Sequence, residues 1–222
     1  WVTRPEGVLL IDAPAHEENP GGATPIPNYS PPPPIEAQLQ AAGVPPEAVT
    51  HLVITHAHWD HFNGLTRQVE GEDRPIYPNA IHYLGRGDWE RIQPELADAQ
   101  SRQNRTLGAV DRVGLLRLVD GEMEILPGVR IIPAPGESPG HQIVRIEEAD
   151  GILYHVGDLY HHVLEVARPE WACHWAEAEA HKASRATFLA AALAEDARVL
   201  ASHIANFGRI RVTESGMAWE RV

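Results

Sequence analysis

One stretch restricts the fold and chemistry of this chain more than any other: HLVITHAHWDHFNG, residues 51–64. An apolar run of strand type, HLVIT, leads directly into three imidazoles and a carboxylate packed between positions 56 and 61. Such groups are costly to bury without partners. At the C-terminal end of a buried strand, a loop can bend several of them toward one point. Neutral imidazole and carboxylate are ligand types that zinc and related divalent ions take. His56 and His58 alternate with Ala57, so both can face one direction. Asp60 and His61 follow after the chain turns and can serve a second direction. A cluster with two faces is what two adjacent metals require. A lone histidine in a polar loop carries little weight, whereas His-x-His-x-Asp-His behind an apolar strand is a specific pattern.

The rest of the chain alternates strand and helix signals. GVLLIDAP (7–14) reads as a buried strand closed by a proline. Residues 17–34 are rich in Pro, Gly and Asn and end in SPPPP, so they read as a loop. IEAQLQAAG is a short helix with Gly43 as its stop, and AIHYLG is a further strand. From 87 to 116 apolar residues recur at helical spacing, interrupted by Pro94 and Gly108, which predicts one or two helices. LLRLVD, MEILP, VRIIPAP, QIVRIEE and GILYHVGD follow as strands, with DGE, PG and ADG as hairpin turns. WAEAEAHKASRATFLAAALAE is a helix, RVLASH a strand and IRVTESGMAWERV a terminal hairpin. This order, strands then helix then strand, twice over, predicts an α/β sandwich of two sheets with helices outside.

Composition sets the outer limits. A length of 222 residues suits one domain, taken here as 1–222, and 43% apolar residues suffice for a substantial core. The formal net charge is −13, which disfavours nucleic acid and anionic membrane surfaces as partners. No apolar run approaches the roughly 20 residues of a membrane helix. The single cysteine, Cys173, rules out an internal disulfide and cysteine-rich zinc sites. It fits a reducing compartment, so a cytoplasmic protein is expected. The sequence opens on Trp1 without a Met, so secretion stays open as well.

THAHWDH resembles the signature of the metallo-β-lactamase superfamily, the αββα metallohydrolases, and the resemblance continues in order along the chain. IIPAPGESPGH supplies His141, with Glu137-Ser138 where that family usually has His-Thr. LYHVGD supplies Asp158, VLASH supplies His203, and LLID supplies Asp12. The resemblance implies a four-layer αββα sandwich of two mixed sheets. It implies that His56, His58 and His141 hold one metal, that Asp60, His61 and His203 hold another, and that Asp158 bridges them. Asp12 then orients the ligand loop from behind. Two divalent ions per chain follow, zinc in first place, with Mn²⁺, Co²⁺ or Fe²⁺ as alternatives.

A bridging carboxylate resembles the dinuclear branches of that superfamily rather than its β-lactamases. Acidity and the want of a basic exosite argue against an RNase. The resemblance is strongest to the lactonase and methyl parathion hydrolase branch, through GDLYHH and ASHIANFGRI. It implies that a hydroxide shared by two metals attacks an uncharged ester or lactone, or a phosphotriester, with Asp60 taking up the proton. N-acyl homoserine lactonases carry a tyrosine three residues after the bridging aspartate. Here that position is His161, with Tyr160 one step early, and both are candidate substrate contacts. His161 and His162 also read as polar loop residues beside the metals. The alternatives are a mononuclear iron persulfide dioxygenase and a glyoxalase II-like thioester hydrolase. A non-catalytic binding module would have lost ligands, and none is lost here.

His155 is expected in the core, and His16, His51, His82, His174 and His181 are read as ordinary. Cys173 lacks the second cysteine that would mark it as a ligand. Tyr29, Trp171 and Trp175 are aromatic candidates for a substrate wall, with plain core packing as the equal alternative. The partner is a small molecule. The 87–116 segment fits either a lid or a homodimer contact.

Overall fold

Short apolar runs separated by turn residues become short strands, and the strands fall where those runs are. The computed structural model describes residues 1–14, 28, 30, 33–214 and 216–222. His16, Tyr29 and most of the proline-rich stretch expected as a loop lie outside the described residues.

The described chain forms two compact units, Trp1–Leu84 with Trp89–Leu118 and Gly85–Asp88 with Val119–Val222. The first is built on β1 (Val2–Arg4), β2 (Gly7–Ile11), β3 (Val49–Ile54), β4 (Thr66–Val69), β5 (Glu72–Pro75), β6 (Ile81–Gly85) and β7 (Leu116–Val119), whose last residues enter the second unit in β6 and β7. One sheet has the order β1-β2-β3-β6-β7, and β4-β5 form a separate ribbon. β2, β3 and β6 run parallel. Parallel strands are covered on both faces, which is why the second half of β3 is continuously apolar. Leu52, Val53 and Ile54 are all fully buried. Its helices are α1 (Ile35–Ala41), α2 (Trp59–Phe62), the end of α3 (Arg86–Arg91, whose first three residues belong to the second unit), α4 (Gln93–Leu96) and α5 (Ala109–Arg112), with a π-turn at Asn104–Gly108. Leu10, Leu52, Phe62, Leu65, Tyr77 and Leu84 lie in its core.

The second unit carries β8 (Met123–Leu126), β9 (Val129–Pro133), β10 (Gln142–Glu148), β11 (Gly151–His155), β12 (Arg198–Leu200), β13 (Gly208–Thr213) and β14 (Gly216–Arg221). They form one sheet in the order β14-β13-β12-β11-β10-β9-β8. β11 and β12 are parallel, so a crossover must join them, and α6 (Ala178–Ala194) provides it. Phe188 and Ala192 of α6 pack with Tyr154, Val156 and Val199 in a separate core. Arg145 of β10 and the Tyr154 hydroxyl both bind Glu195 at the end of α6, at 2.8 and 2.7 Å.

The strand and helix signals fall largely where the elements are, with the DGE turn and His155 corrected. DGE does not close a hairpin: β7 and β8 belong to different sheets, so the chain crosses there. The helical stretch breaks at Ile92, just before Pro94, which lies in the first turn of α4, where its missing N–H costs nothing; Gly108 closes the π-turn without breaking the chain from α5. β1 and the β4–β5 hairpin went unread because their residues are polar and half exposed. His155 is only partly buried.

Candidate metal centre

In the first unit, two parallel strand ends organise the histidine loop. Ile11 of β2 pairs with Val53 of β3, so Asp12 and Thr55 emerge close together. Asp12 sits at φ +57°, a left-handed conformation that aspartate tolerates better than most residues. Its Oδ1 accepts the Thr55 N–H at 2.7 Å, and its Oδ2 accepts the Thr55 hydroxyl at 2.9 Å. The same Oδ2 lies 2.8 Å from His61 Nδ1. A carboxylate on Nδ1 fixes the ring and leaves Nε2 as the ligand nitrogen, the usual support of a metal-binding imidazole. α2 begins at Trp59, so Asp60 and His61 lie in a helical turn while His58 precedes it in extended conformation. That turn separates the two directions of the cluster. His56 Nε2 lies 3.0 Å from His58 Nδ1, and the His56 and His61 rings are 4.0 Å apart. Asp60 Oδ2 stands 3.7 Å from His61 Nε2. Arg91 braces the loop by donating to the Ala57 carbonyl at 3.0 Å. Three imidazoles and a carboxylate gathered on one loop are the ligand types that divalent cations take.

In the second unit, the loop between β9 and β10 carries His141. Buried Asp88 anchors it, accepting the Ser138 hydroxyl at 2.9 Å and the Gly140 N–H at 3.0 Å. Gly140 is required there: a Cβ would come 2.3 Å from the Asp88 nitrogen. His141 Nδ1 bonds the Ala134 carbonyl at 3.0 Å, and Nε2 accepts the Asp158 N–H at 3.1 Å. The pairing assigns the proton to Nδ1 and makes Nε2 a lone-pair donor. Burial pushes the His141 pKa down, against the opposing pull of Glu137, Asp158 and Asp88. Asp158 follows β11 and is almost wholly buried. Its Oδ2 meets His161 Nε2 at 3.1 Å and His203 Nε2 at 3.2 Å. The two rings stack at 5.5 Å and 11°.

Buried Arg185 of α6 holds the segment after Asp158. Its guanidinium donates to the Leu159 carbonyl at 2.8 Å, to the Trp171 carbonyl and to Glu165. His181 adds a bond to the same Leu159 carbonyl at 3.1 Å. Tyr160 is fully buried, with Phe188 and the Arg185 guanidinium against its ring. It belongs to the core, which removes it from contact with a substrate. His161 and the half-exposed Trp175 stand edge to face at 6.3 Å, and Trp175 donates to Glu137 at 2.8 Å. Trp171 is half exposed too.

Thr55, Asp88 and Arg185 were not singled out in the sequence. Each acts on residues remote along the chain, such as Asp88 on Gly140, and no local spacing marks that. His82 and His181, read as ordinary, are buried. Burial pushes both pKa values down to about 4, and for His181 the Arg185 charge adds to it.

The chain belongs to the metallo-beta-lactamase superfamily, whose family model matches residues 1–203. It is 27% identical over 116 residues to an N-acyl homoserine lactonase of Bacillus cereus, covering 52% of this chain and 40% of that one. A lactonase of Bacillus thuringiensis matches at 27% over 130 residues, covering 55% and 43%. The match thus spans less than half the length of these curated relatives. Among solved structures, the hydrolase AbOPH of the beta lactamase superfamily superposes with a TM-score of 0.76 at 19% identity, over 98% of this chain and 76% of that one. AidC, a dizinc quorum-quenching lactonase crystallised with a product, N-hexanoyl-L-homoserine, superposes at 0.73 with 21% identity, over 99% and 77%. At such identities the superpositions show the fold: mixed α/β, of the metallo-β-lactamase type. Among the described residues, no helix is long and apolar enough to cross a membrane.

Proposed function

We propose that this protein is a metal-dependent hydrolase of lactones or uncharged esters that uses two divalent ions. The observation that carries the reading is the Asp12-braced loop, in which His56, His58 and His61 converge with Asp60. The lactonase names of its relatives support the substrate class. In this reading His56, His58 and His141 are ligands of one ion, Asp60, His61 and His203 of the other, and Asp158 is shared.

When bound, such a pair of ions supplies Lewis acidity toward a carbonyl and makes a water acidic enough to attack near neutral pH. The residues do the rest. His61 is held as a ligand by Asp12, and His141 by the Ala134 carbonyl, so neither ring reorganises on binding. Asp60, about a third exposed and 3.7 Å from His61 Nε2, is the group assigned to take up the proton released on attack. Trp175, half exposed beside His161, offers an apolar face to an acyl chain. Zinc is the preferred metal, because the donor set is rich in imidazole.

The test is metal analysis of the purified protein together with assays on lactones, aryl esters, phosphotriesters and thioesters. Two ions per chain with lactone or ester turnover is the expected result. Thioester turnover alone favours a glyoxalase II-like enzyme. One tightly bound iron without hydrolysis returns the reading to a persulfide dioxygenase.

A further inference from the structure

A cavity of about 160 Å³ lies within the first unit, between the β4–β5 ribbon and the segment that enters the π-turn. None of the residues lining it belongs to the proposed ligand set. A cavity of ~150 Å³ accepts benzene, so this one has room for a ligand of about six heavy atoms. Its lining is cationic. Arg67, Arg102 and Arg105 line it together with a single carboxylate, that of Asp73. Three guanidiniums against one carboxylate leave an excess of two positive charges, in a chain whose net charge is −13.

The polar groups around the cavity have different tasks. Arg105 is matched by Asp73, its Nε and Nη2 donating at 3.3 and 3.4 Å. Gln68 donates its amide to the same carboxylate, so both Asp73 oxygens are engaged. The two threonine hydroxyls are spent on arginine backbone. Thr66 donates to the Arg105 carbonyl at 3.0 Å, and Thr106 donates to the Arg102 carbonyl at 2.6 Å. These bonds fix where the two arginines leave the main chain. The Arg102 guanidinium lies over the Trp59 ring at 5.8 Å, which holds that charge beside the cavity. Arg67 makes no ion pair among the described residues. The π-turn is a second, independent sign. Such turns are rare and frequently mark functional sites, and Arg105 and Thr106 both lie in this one.

Guanidiniums bind carboxylates and phosphates by charge-assisted, often bidentate hydrogen bonds. We propose that this cavity is a binding site for a small dianion of carboxylate or phosphate chemistry, held by Arg67 and Arg102 while Asp73 occupies Arg105. The site is separate from the metal ligands and does not depend on the hydrolase reading. Through Arg102 it adjoins Trp59, the residue before Asp60.

Equilibrium dialysis of the metal-loaded protein against inorganic phosphate, and separately against malonate, tests the site. Bound metals also attract such anions, so variants separate the two locations. Arg67→Gln and Arg102→Gln should each weaken one site per chain by at least about tenfold, the scale of a lost charge-assisted hydrogen bond, with metal content unchanged. That site should also weaken as salt is raised, because exposed charges are screened. Tighter binding of malonate identifies carboxylates as the class, and tighter binding of phosphate identifies phosphates. Circular dichroism shows whether each variant is folded. Arg67 is exposed, so Arg67→Gln decides the matter alone if Arg102→Gln unfolds. Isotherms of both anions that are the same in the wild type and in Arg67→Gln would overturn the proposal. So would anion binding that disappears entirely once the metals are chelated. Neither result touches the hydrolase reading, which is tested by metal content and turnover.

Discussion

At the scale of single residues, most of the chemistry comes down to how a few carboxylates are occupied. Asp12 uses both oxygens on Thr55 and His61, from a backbone conformation few residues accept. Asp12→Ala removes the acceptor that fixes the His61 ring, and metal affinity measured by competitive chelation should fall about 10- to 100-fold. Asp158 is proposed to lie between two ions. Asp158→Asn keeps its size but removes a charge and a good ligand oxygen. Metal content should drop toward one ion per chain, and kcat should fall by at least about 10²-fold, as when direct charge stabilisation is withdrawn. His155→Gln is the matched control: it lies on β11 outside both ligand groups, and metal stoichiometry should not change. An Asp158→Asn protein that keeps two ions and near-normal kcat would show that Asp158 is not shared.

At the scale of elements, α6 does more than bridge two parallel strands. Arg185, nearly inaccessible on its inner face, binds two carbonyls and Glu165, and so fixes the chain between Asp158 and Cys173. Arg185→Met leaves Glu165 without its cation and removes the guanidinium from both carbonyls, the Leu159 carbonyl keeping only His181. Breaking a buried pair from one side costs about 3–5 kcal/mol, which denaturant unfolding should register. The entry to α6 is equally constrained. Gly136 has φ +133° and lies against the helix, where a Cβ would come 2.2 Å from the His181 backbone. Gly136→Ala should therefore lower the melting temperature by several degrees, through strain as well as the clash.

At the scale of the whole molecule, stability should depend on pH through buried histidines outside the proposed ligand set. His82 is fully buried, with a folded pKa of about 4, below its ordinary value because burial opposes the charge; its Nδ1 bonds the Ala80 carbonyl at 2.9 Å. Above about pH 6.5 it is neutral whether folded or unfolded and contributes nothing. As the pH falls from 6.5 toward 4, the unfolded chain takes up the proton first, so stability is lost across that window. The loss from His82 should reach roughly 3 kcal/mol at the low end, and His181 acts in the same direction. Urea midpoints measured from pH 7 to 4 should decline in the wild type and decline less in His82→Gln. An equal decline in both would mean that carboxylates dominate instead.

The sequence by itself determined the cluster of candidate ligands and most of the elements. His56, His58, Asp60 and His61 are neighbours along the chain, and local spacing is visible without a fold. The apolar runs of β2, β3 and β11 likewise depend only on burial over a few residues. The tertiary structure decided what joins distant positions. Asp88 anchors Gly140 from 52 residues away, and Asp12 reaches His61 across 49. Tyr160 and His161 are adjacent in sequence, yet one is buried against Phe188 and the other meets Asp158. The turn DGE has the chemistry of a hairpin, but its flanking strands found partners in different sheets. Cys173 looked solitary because a thiol's neighbours are set by packing. Only the folded chain brings it to His161, since side-chain contacts follow from which elements share a core rather than from order in the chain.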